Sequence, residues 1–441
     1  MKSLAQQNIS LNRQEKEAIG LLSIGTFLEY FDLMLYMHMA AFLNEKFFPK
    51  SDPHTASLLS AFAFCSMYLL RPFGAILFGY LGDKVGRKIV VTITTFVTAC
   101  SCCTIAILPT YDKIGISASI IVTICRMLQG LSSMGEVVAS EIYLTELIKK
   151  PFRYPAVALL SIACLFGGMV ALMISFIAIK TDYLWRGAFF LGAIVAVISF
   201  RSRVALKETA VFSDARERIK KQLIGHRQSN VYFLRAHQKT MLSFFFMQCT
   251  WPMCFYFAFV YCSEILKTQF GYSLQGVISH NLIVSILQLI SYSIFCILSY
   301  KIPPLKILQF RLYGFCMLII ACPFLLDIAT TPLEILLIQS GMLILSATDI
   351  PAAPVIYSHF PILQRFRCTV FIYAASRLIM YTVGSFGLMY LVRILGNWGI
   401  FIIMGPLALG VMFALFHFKR LEEAEHSALL NQRACKVVLQ N

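Results

Sequence analysis

The chain has 441 residues, of which 58% are hydrophobic and 14% are charged, and its mean hydropathy is +0.74. A soluble domain carries roughly 25% charged residues, so this composition excludes a protein folded wholly in water. The formal net charge is +16, but the basic residues alternate with apolar runs along the chain, a pattern that topology explains better than nucleic-acid binding does.

Apolar segments recur from end to end, and about 20 such residues span the hydrocarbon core of a bilayer. They lie near 18–42, 56–81, 88–108, 115–138, 155–179, 186–203, 240–264, 276–299, 308–327, 332–357, 369–393 and 396–417. Because the runs are continuous and do not alternate every second residue, they favour helices over a β-barrel. The predicted fold class is an all-α polytopic membrane protein with 12 transmembrane helices in two six-helix halves.

The first apolar run is longer than the core of a signal peptide, and no small-residue cleavage site follows it. We therefore expect this run to remain as the first span. With the N-terminus placed in the cytoplasm, most Lys and Arg residues fall in inner segments, among them 84–88, 149–153, 201–239 and 301–311. This distribution follows the positive-inside rule and predicts that both termini are cytoplasmic.

The longest polar stretch between spans divides them six and six, which is typical of secondary transporters with a solute site near the midplane between two halves. The predicted organisation is a cytoplasmic N-terminus (1–17), an N-terminal bundle (18–203), a basic linker (204–239), a C-terminal bundle (240–417) and a cytoplasmic tail (418–441).

Cofactor chemistry has little support in the sequence. Nearly all of the 14 cysteines sit in apolar spans without metal-ligand pairing, which is typical of small buried residues. No phosphate-binding loop or nucleophile motif is present. We expect no cofactor, no metal site and no enzymatic activity.

Two predicted helices carry polar stripes, and an ionisable residue inside the membrane costs about 2.5–3.5 kcal/mol on insertion scales. In the first span Glu29, Asp32 and Tyr36 follow helical spacing, and in the fourth span Arg126, Gln129 and Glu136 do so. Each stripe is expected to face a cavity or the other stripe. The structural alternative is an ion pair, such as Glu29 with Arg126, that only locks packing.

These residues are candidates for binding solute or protons, with Glu29 and Asp32 first and Glu136 next. Further ionisable residues in or near the spans are Arg71, Glu141, Glu146, Glu264, Asp349 and Arg377. Aromatic residues could form a cage for a quaternary ammonium, although most aromatic residues in such a chain are packing residues. The candidates for a cage are Tyr30, Phe31, Tyr36, Tyr143, Tyr256 and Tyr261.

Residues 79–88, GYLGDKVGRK, resemble the G-x-L-x-D-x-x-G-R-[RK] signature of the major facilitator superfamily, and residues 126–130, RMLQG, resemble its R-x-x-Q-G signature. The resemblance implies a gating motif at the cytoplasmic turn after the second helix. Its members here are Gly79, Gly82, Asp83, Gly86, Arg87 and Lys88.

Segments 25–36, 71–79, 126–146 and 185–212 are similar to the metabolite:proton symporter family, whose members include proline/betaine and organic-acid carriers. The resemblance is close in the N-terminal half and loose in the C-terminal half. The family often repeats the D-x-x-G-R-[RK] signature between the eighth and ninth helices, but here the chain reads YKIPPLKILQFR, with no Asp and no Gly-Arg pair.

The expected function is proton-coupled uptake of a small zwitterion such as proline or betaine across the plasma (bacterial inner) membrane. Glu29, Asp32, Tyr36, Arg126, Gln129, Glu136 and Arg377 are the expected proton- and substrate-binding residues. A related alternative is an organic-acid symporter in which Arg71, Arg126 and Arg377 receive carboxylates. A non-transporting sensor with the carrier fold is an alternative of another class. The expected partners are the solute, the proton and the lipid bilayer.

Overall fold

The computed structural model describes residues 11–49, 62, 65–85, 87–133, 136–178, 184–204 and 238–438. Within them the chain is helical, and each of the predicted spans holds at least one helix. Side chains are described for most of these residues, but among the exceptions are positions 82–92 and Glu136. The all-α membrane fold predicted from the sequence is confirmed.

Residues 65–69 of the N-terminal half are helical, and eight further helices have both of their ends among the described residues. They are α1 (Arg13–Phe47), α2 (Arg71–Val85), α3 (Arg87–Ile107), the single turn α4 (Tyr111–Ile114), α5 (Ile116–Ser132), α6 (Glu136–Leu147), α7 (Arg153–Ala178) and α8 (Leu184–Val204). The predicted fourth span is therefore formed by two helices, α5 and α6.

The described residues of the C-terminal half contain nine α-helices and two π-helical turns. They are α9 (Gln238–Tyr256), a π turn (Phe257–Tyr261), α10 (Cys262–Thr268), α11 (Leu274–Leu298), α12 (Pro304–Ile328), α13 (Pro332–Leu345), α14 (Ala353–Ser358), α15 (Ile362–Thr382), a second π turn (Val383–Leu388), α16 (Met389–Leu395) and α17 (Trp398–Val438). Helix α17 runs through most of the segment predicted as a tail.

Polar side chains fix helix ends where the sequence offers them. Asn12 and Glu15 form a capping box at the start of α1, in which the Glu15 N–H donates to Asn12 Oδ1 at 2.7 Å. Arg186 donates to the carbonyl oxygens of Ala106 and Leu108 at 2.6 and 3.0 Å. These carbonyls lie at the C-terminal end of α3, where a cation is favourable.

Large apolar side chains cover the outer surface of the bundle, as a lipid-facing protein requires. Phe73, Phe96, Met317 and Ile297 are among the most exposed of them. In the described residues, eight helices are long and apolar enough to cross a membrane, and shorter apolar helices lie at Cys65–Phe78, Phe96–Ile107, Leu184–Val195 and Pro332–Leu345.

The two halves meet along two helix pairs, α7 with α11 and α2 with α15, and the short helix α14 packs against α6 and α7. We call the end with the α2–α3, α6–α7 and α14–α15 turns the inner end, and the opposite end the outer end. Each half also packs internally, with α1 against α7 and α9 against α17. The interface between the halves runs through the middle of the molecule.

Glycine allows two helices to approach closely at Gly130, the last residue of the RMLQG segment. A Cβ atom at Gly130 would lie 1.7 Å from the carbonyl oxygen of Met67. Backbone atoms cannot move aside as a flexible side chain can, so the contact requires glycine.

We predict that Gly130→Ala destabilises the protein, because the added methyl group forces the backbone around Met67 away from α5. Overpacking of this kind costs about 1–3 kcal/mol. The measurement is the apparent Tm of the purified protein in detergent, followed by size-exclusion chromatography. The control is Gly187→Ala, whose Cβ would meet nothing within 4 Å. Equal melting temperatures for the two variants would contradict the close approach.

Candidate functional site

A cavity lies between the two halves near the middle of the helices. It holds about 520 Å³ of space between its lining atoms, part of it open to solvent. The N-terminal half contributes residues from α1, α6 and α7, and the C-terminal half contributes residues from α9, α11, α15 and the break between α13 and α14. The lining residues are Tyr30, Val137, Glu141, Ser161, Cys164, Leu165, Gln248, Trp251, Tyr292, Thr348, Asp349, Ile350, Tyr373 and Arg377.

Arg377 provides the guanidinium group of this cavity, and a proline helps to hold it. Pro252 lies inside α9 and has no N–H, so the carbonyl oxygen of Gln248 loses its helical donor. Arg377 NH1 donates to that oxygen. The guanidinium also lies over the ring of Tyr373, 4.2 Å from its centroid. These contacts fix a charged group that is only 6% exposed.

Asp349 lies in the non-helical segment between α13 and α14, where its carboxylate faces the cavity. Gln248 Nε2 donates to Asp349 Oδ2 at 2.8 Å, and Asp349 is close enough to Arg377 for the two charges to attract. Gln248 therefore serves both groups, because its carbonyl accepts from Arg377 and its side chain donates to Asp349.

Arg311 of α12 stabilises the same non-helical segment, and its side chain is fully buried. Its guanidinium donates to the carbonyl oxygens of Ile344 at 3.2 Å and Ile350 at 2.6 Å, and to the Thr348 hydroxyl at 3.1 Å. It also donates to the hydroxyl of Tyr292, a lining residue, at 3.2 Å. Arg311 thus donates to backbone carbonyl oxygens that the hydrogen bonds of α13 and α14 leave free. The positive-inside pattern counted Arg311 in an inner segment, but the structure buries it inside the bundle.

Glu141 of α6 brings a second carboxylate to the cavity from the opposite half. Tyr357 of α14 donates to Glu141 Oε2 at 2.6 Å, and both side chains are buried. Glu141 and Asp349 are near enough to repel each other when both are ionised, and Arg377 offsets that repulsion. Three charge-bearing side chains from the two halves therefore share one small volume.

A second polar cluster lies within the N-terminal half. Cys102 Sγ donates to Asp32 Oδ1 at 3.0 Å, and Gln129 Nε2 contacts the same sulfur at 3.1 Å. Arg126 NH1 donates to Gln129 Oε1 at 3.0 Å, and its guanidinium lies 3.7 Å from the centroid of the Tyr36 ring. Asp32 and Arg126 attract each other across this cluster.

Two tyrosines with tilted rings pack against each other between the two clusters. The rings of Tyr68 and Tyr381, one from each half, have centroids 4.1 Å apart. Tyr68 is within electrostatic reach of Arg126, and Tyr381 is within reach of Arg377. The tyrosine pair therefore links the neighbourhoods of the two clusters across the interface between the halves.

The structure brings together four of the predicted site residues, Asp32, Tyr36, Arg126 and Gln129, and it places Arg377 separately in the cavity. Glu29 is half-buried on α1, within electrostatic reach of Cys164, a lining residue. The side chains of Glu136, Asp83, Arg87 and Lys88 lie outside the described part, as does Gly86; Gly79 and Gly82 fall within α2. The roles of all these residues stay predictions.

Sequence reasoning missed most of the cavity. Among the six aromatic residues proposed for a cage, Tyr30 alone is among the lining side chains, whereas Trp251, Tyr292 and Tyr373 were not considered. Tyr256 instead packs against Gly384, and Tyr261 donates to Asn397 at 2.6 Å. The useful signal was the presence of Glu141, Asp349 and Arg377 in apolar spans.

Contacts between the halves lie at both ends of the cavity. Toward the inner end, Arg365 NH1 of α15 pairs with Glu146 Oε1 of α6 at 2.8 Å, and both side chains are buried. Phe152 and Tyr300 pack there with centroids 5.5 Å apart. Toward the outer end, His38 of α1 meets the ring of Phe259, 5.9 Å between centroids.

A family model for the Major Facilitator Superfamily matches residues 22–363. The proline/betaine transporter of Escherichia coli (strain K12) is 35% identical over 204 residues, covering 45% of this chain and 41% of that protein. The putative proline/betaine transporter of Staphylococcus aureus (strain COL) is 33% identical over 221 residues, covering 47% of each. In these matches the chain spans less than half the length of the curated relatives.

Solved structures are similar over nearly the whole chain. The proton:xylose symporter XylE from E. coli, bound to 6-bromo-6-deoxy-D-glucose, aligns with a TM-score of 0.73 at 19% identity, over 92% of this chain and 95% of that one. The human organic anion transporter MFSD10 aligns with a TM-score of 0.67 at 15% identity, over 91% and 99%. Identities this low support a shared fold and nothing finer.

We predict that Arg311→Lys lowers stability by about 2–4 kcal/mol, because one ammonium group cannot replace a guanidinium that bonds several separated acceptors. The measurement is the apparent Tm in detergent. The matched control is Arg367→Lys on α15, where the arginine is exposed and the expected change is within about 0.5 kcal/mol. If the two variants have the same apparent Tm, Arg311 does not stabilise the break between α13 and α14.

Proposed function

Because the chain belongs to the Major Facilitator Superfamily, we propose that it is a secondary transporter that imports a small zwitterion, such as proline or betaine, together with a proton. The observation that carries this proposal is the cavity between the halves, where Arg377, Glu141 and Asp349 lie among aromatic side chains. We assign the chain a transport function and no enzymatic activity.

The charges of the cavity suit a zwitterion better than a dicarboxylate. Arg377 is the cationic side chain among the lining residues described, and it can receive one carboxylate group. Glu141 and Asp349 would repel a second carboxylate but attract an ammonium group. The faces of Trp251 and Tyr30 add the surface that a quaternary ammonium prefers. An organic acid with two carboxylates would lack a second cation there.

The relatives point the same way, since the E. coli protein is a proline/betaine transporter. The segment shared with it is 45% of this chain, so the substrate is inferred from the cavity and the relatives together.

Proton binding is assigned to Asp32 in the N-terminal cluster. Its carboxyl group is held by Cys102 and lies near Arg126, whose attraction for Asp32 ends when Asp32 takes a proton. Arg126 also contacts Tyr36 and Gln129, so protonation of Asp32 would alter the packing of α1 against α5. Glu29 and Glu136 remain candidates for the same function.

Transport is proposed to follow alternating access, in which the 18–203 half rocks against the 240–417 half. The Arg365–Glu146 pair and the Phe152–Tyr300 contact would break when the inner end opens. The His38–Phe259 contact would break when the outer end opens. The motif from Gly79 to Lys88, with Asp83 and Arg87, is proposed to govern closure at the inner end. Both termini are proposed to be cytoplasmic, in the plasma (bacterial inner) membrane.

We predict that cells lacking their own carriers accumulate radiolabelled proline or glycine betaine when they express this protein, and that a protonophore abolishes the accumulation. 2-Oxoglutarate should not accumulate. Arg377→Gln should raise the half-saturation concentration about 10- to 100-fold, because charge-assisted hydrogen bonds contribute about 1.5–3 kcal/mol.

Arg393→Gln is the matched control, because Arg393 is an exposed arginine of α16. Accumulation of 2-oxoglutarate alone would favour the organic-acid carrier. Binding without accumulation of any solute, by protein shown to be in the membrane, would favour a sensor. Equal effects of the two arginine variants would remove Arg377 from the proposed site.

We predict that Asp32→Asn abolishes proton-driven accumulation but leaves exchange of labelled for unlabelled solute across vesicles. Exchange needs no net proton movement, whereas accumulation does. Glu45→Gln, at an exposed glutamate of the same helix, should leave both activities unchanged. Retained protonophore-sensitive accumulation in Asp32→Asn would reject Asp32 as the coupling residue and turn attention to Glu29.

A further inference from the structure

Three potential metal ligands converge at the inner end of the C-terminal half, away from the cavity. His359 lies in the turn between α14 and α15, and Glu422 and Glu425 lie one turn apart on α17. One ligand atom from each of the three side chains lies within 4.8 Å of the other two. Because Glu422 and Glu425 are three residues apart on a helix, their side chains share a face.

The contact between His359 and Glu422 has the geometry of two ligands of one ion. His359 Nε2 lies 3.3 Å from Glu422 Oε1. In the absence of a metal ion the two groups interact directly as an ion pair, with an angle that is poor for a hydrogen bond. In a tetrahedral zinc site with bonds of about 2.0–2.1 Å, neighbouring ligand atoms are about 3.3–3.4 Å apart. The distance between His359 Nε2 and Glu422 Oε1 matches this separation of neighbouring ligand atoms.

We propose that His359, Glu422 and Glu425 bind a divalent transition-metal ion, with Zn²⁺ as its best representative. An imidazole nitrogen with carboxylate oxygens is a ligand set that suits Zn²⁺ and its neighbours in the first transition row. Three protein ligands leave a fourth position for water. The half-buried position of Glu422, with a side chain 29% exposed, allows an ion to enter from solvent.

Neighbouring groups hold His359 in place. The backbone N–H of His359 donates to the Ile356 carbonyl, and its ring packs 6.1 Å from that of Phe418. The neighbouring His417 is engaged with Thr240 at 3.0 Å. Lys150 of the α6–α7 turn attracts Glu422, so an ion at this site would compete with a contact to the N-terminal half.

A metal ion here would fasten the inner extension of α17 to the α14–α15 turn. That turn leads directly into α15, where Arg365 pairs with Glu146 of the other half. The site is therefore placed to stiffen the segment that closes the inner end. The sequence did not predict it, because His359 and the two glutamates are far apart along the chain and share no metal-binding spacing.

The test is a titration of metal-free, full-length protein in detergent with Zn²⁺ by calorimetry, and with Co²⁺ by visible absorption. The affinity tag must contain no histidine. We expect one ion per chain with Co²⁺ bands of the intensity typical of four-coordinate sites. His359→Gln and Glu422→Gln should each weaken binding at least tenfold. Glu423→Gln, at the exposed neighbouring carboxylate, should leave the affinity unchanged.

Two results would overturn the proposal. One is the absence of saturable binding to the wild-type protein. The other is equal affinity in the wild type and in His359→Gln, since the ion would then be bound elsewhere, for example by cysteines. Elution volume and Tm measured without metal verify that each variant is folded. A simple His359–Glu422 ion pair predicts a loss of Tm in His359→Gln and no metal binding at all.

Discussion

Charged side chains buried between two apolar helical bundles are the constraint on which the rest of this structure depends. Leaving one member of such a group unpaired costs about 3–5 kcal/mol. Glu141 comes from one half, and Asp349 and Arg377 come from the other. Arg377 of the C-terminal half therefore supplies a counter-charge for Glu141 of the N-terminal half, and a solute or proton that replaced one of these partners would change how strongly the halves attract.

The irregular backbone of the C-terminal half follows from the same constraint. Pro252 frees the carbonyl oxygen that Arg377 uses, and the break between α13 and α14 exposes the carbonyls that Arg311 uses. Irregular backbone at membrane depth is tolerated where protein groups satisfy it or where it lines a cavity. Here both conditions hold, and the break also carries Asp349 to the cavity.

Sequence patterns predicted the features that depend on one helix at a time. Continuous apolar runs located the spans, and helical spacing grouped Arg126 with Gln129. The cavity was beyond such reasoning, because Glu141 and Asp349 meet only when α6 and the α13–α14 break are placed side by side. Likewise, which side chain binds a carbonyl oxygen freed by a proline depends on the tertiary structure and cannot be read from the local sequence.

If the cavity between the halves is the transport site, it binds the zwitterion in one fixed orientation. A structure of the protein determined in the presence of glycine betaine tests it most directly. We expect solute density in the cavity, with the carboxylate on Arg377 and the trimethylammonium group against Trp251 or Tyr30. Density in another place, or a carboxylate that faces Glu141 and Asp349, would contradict it.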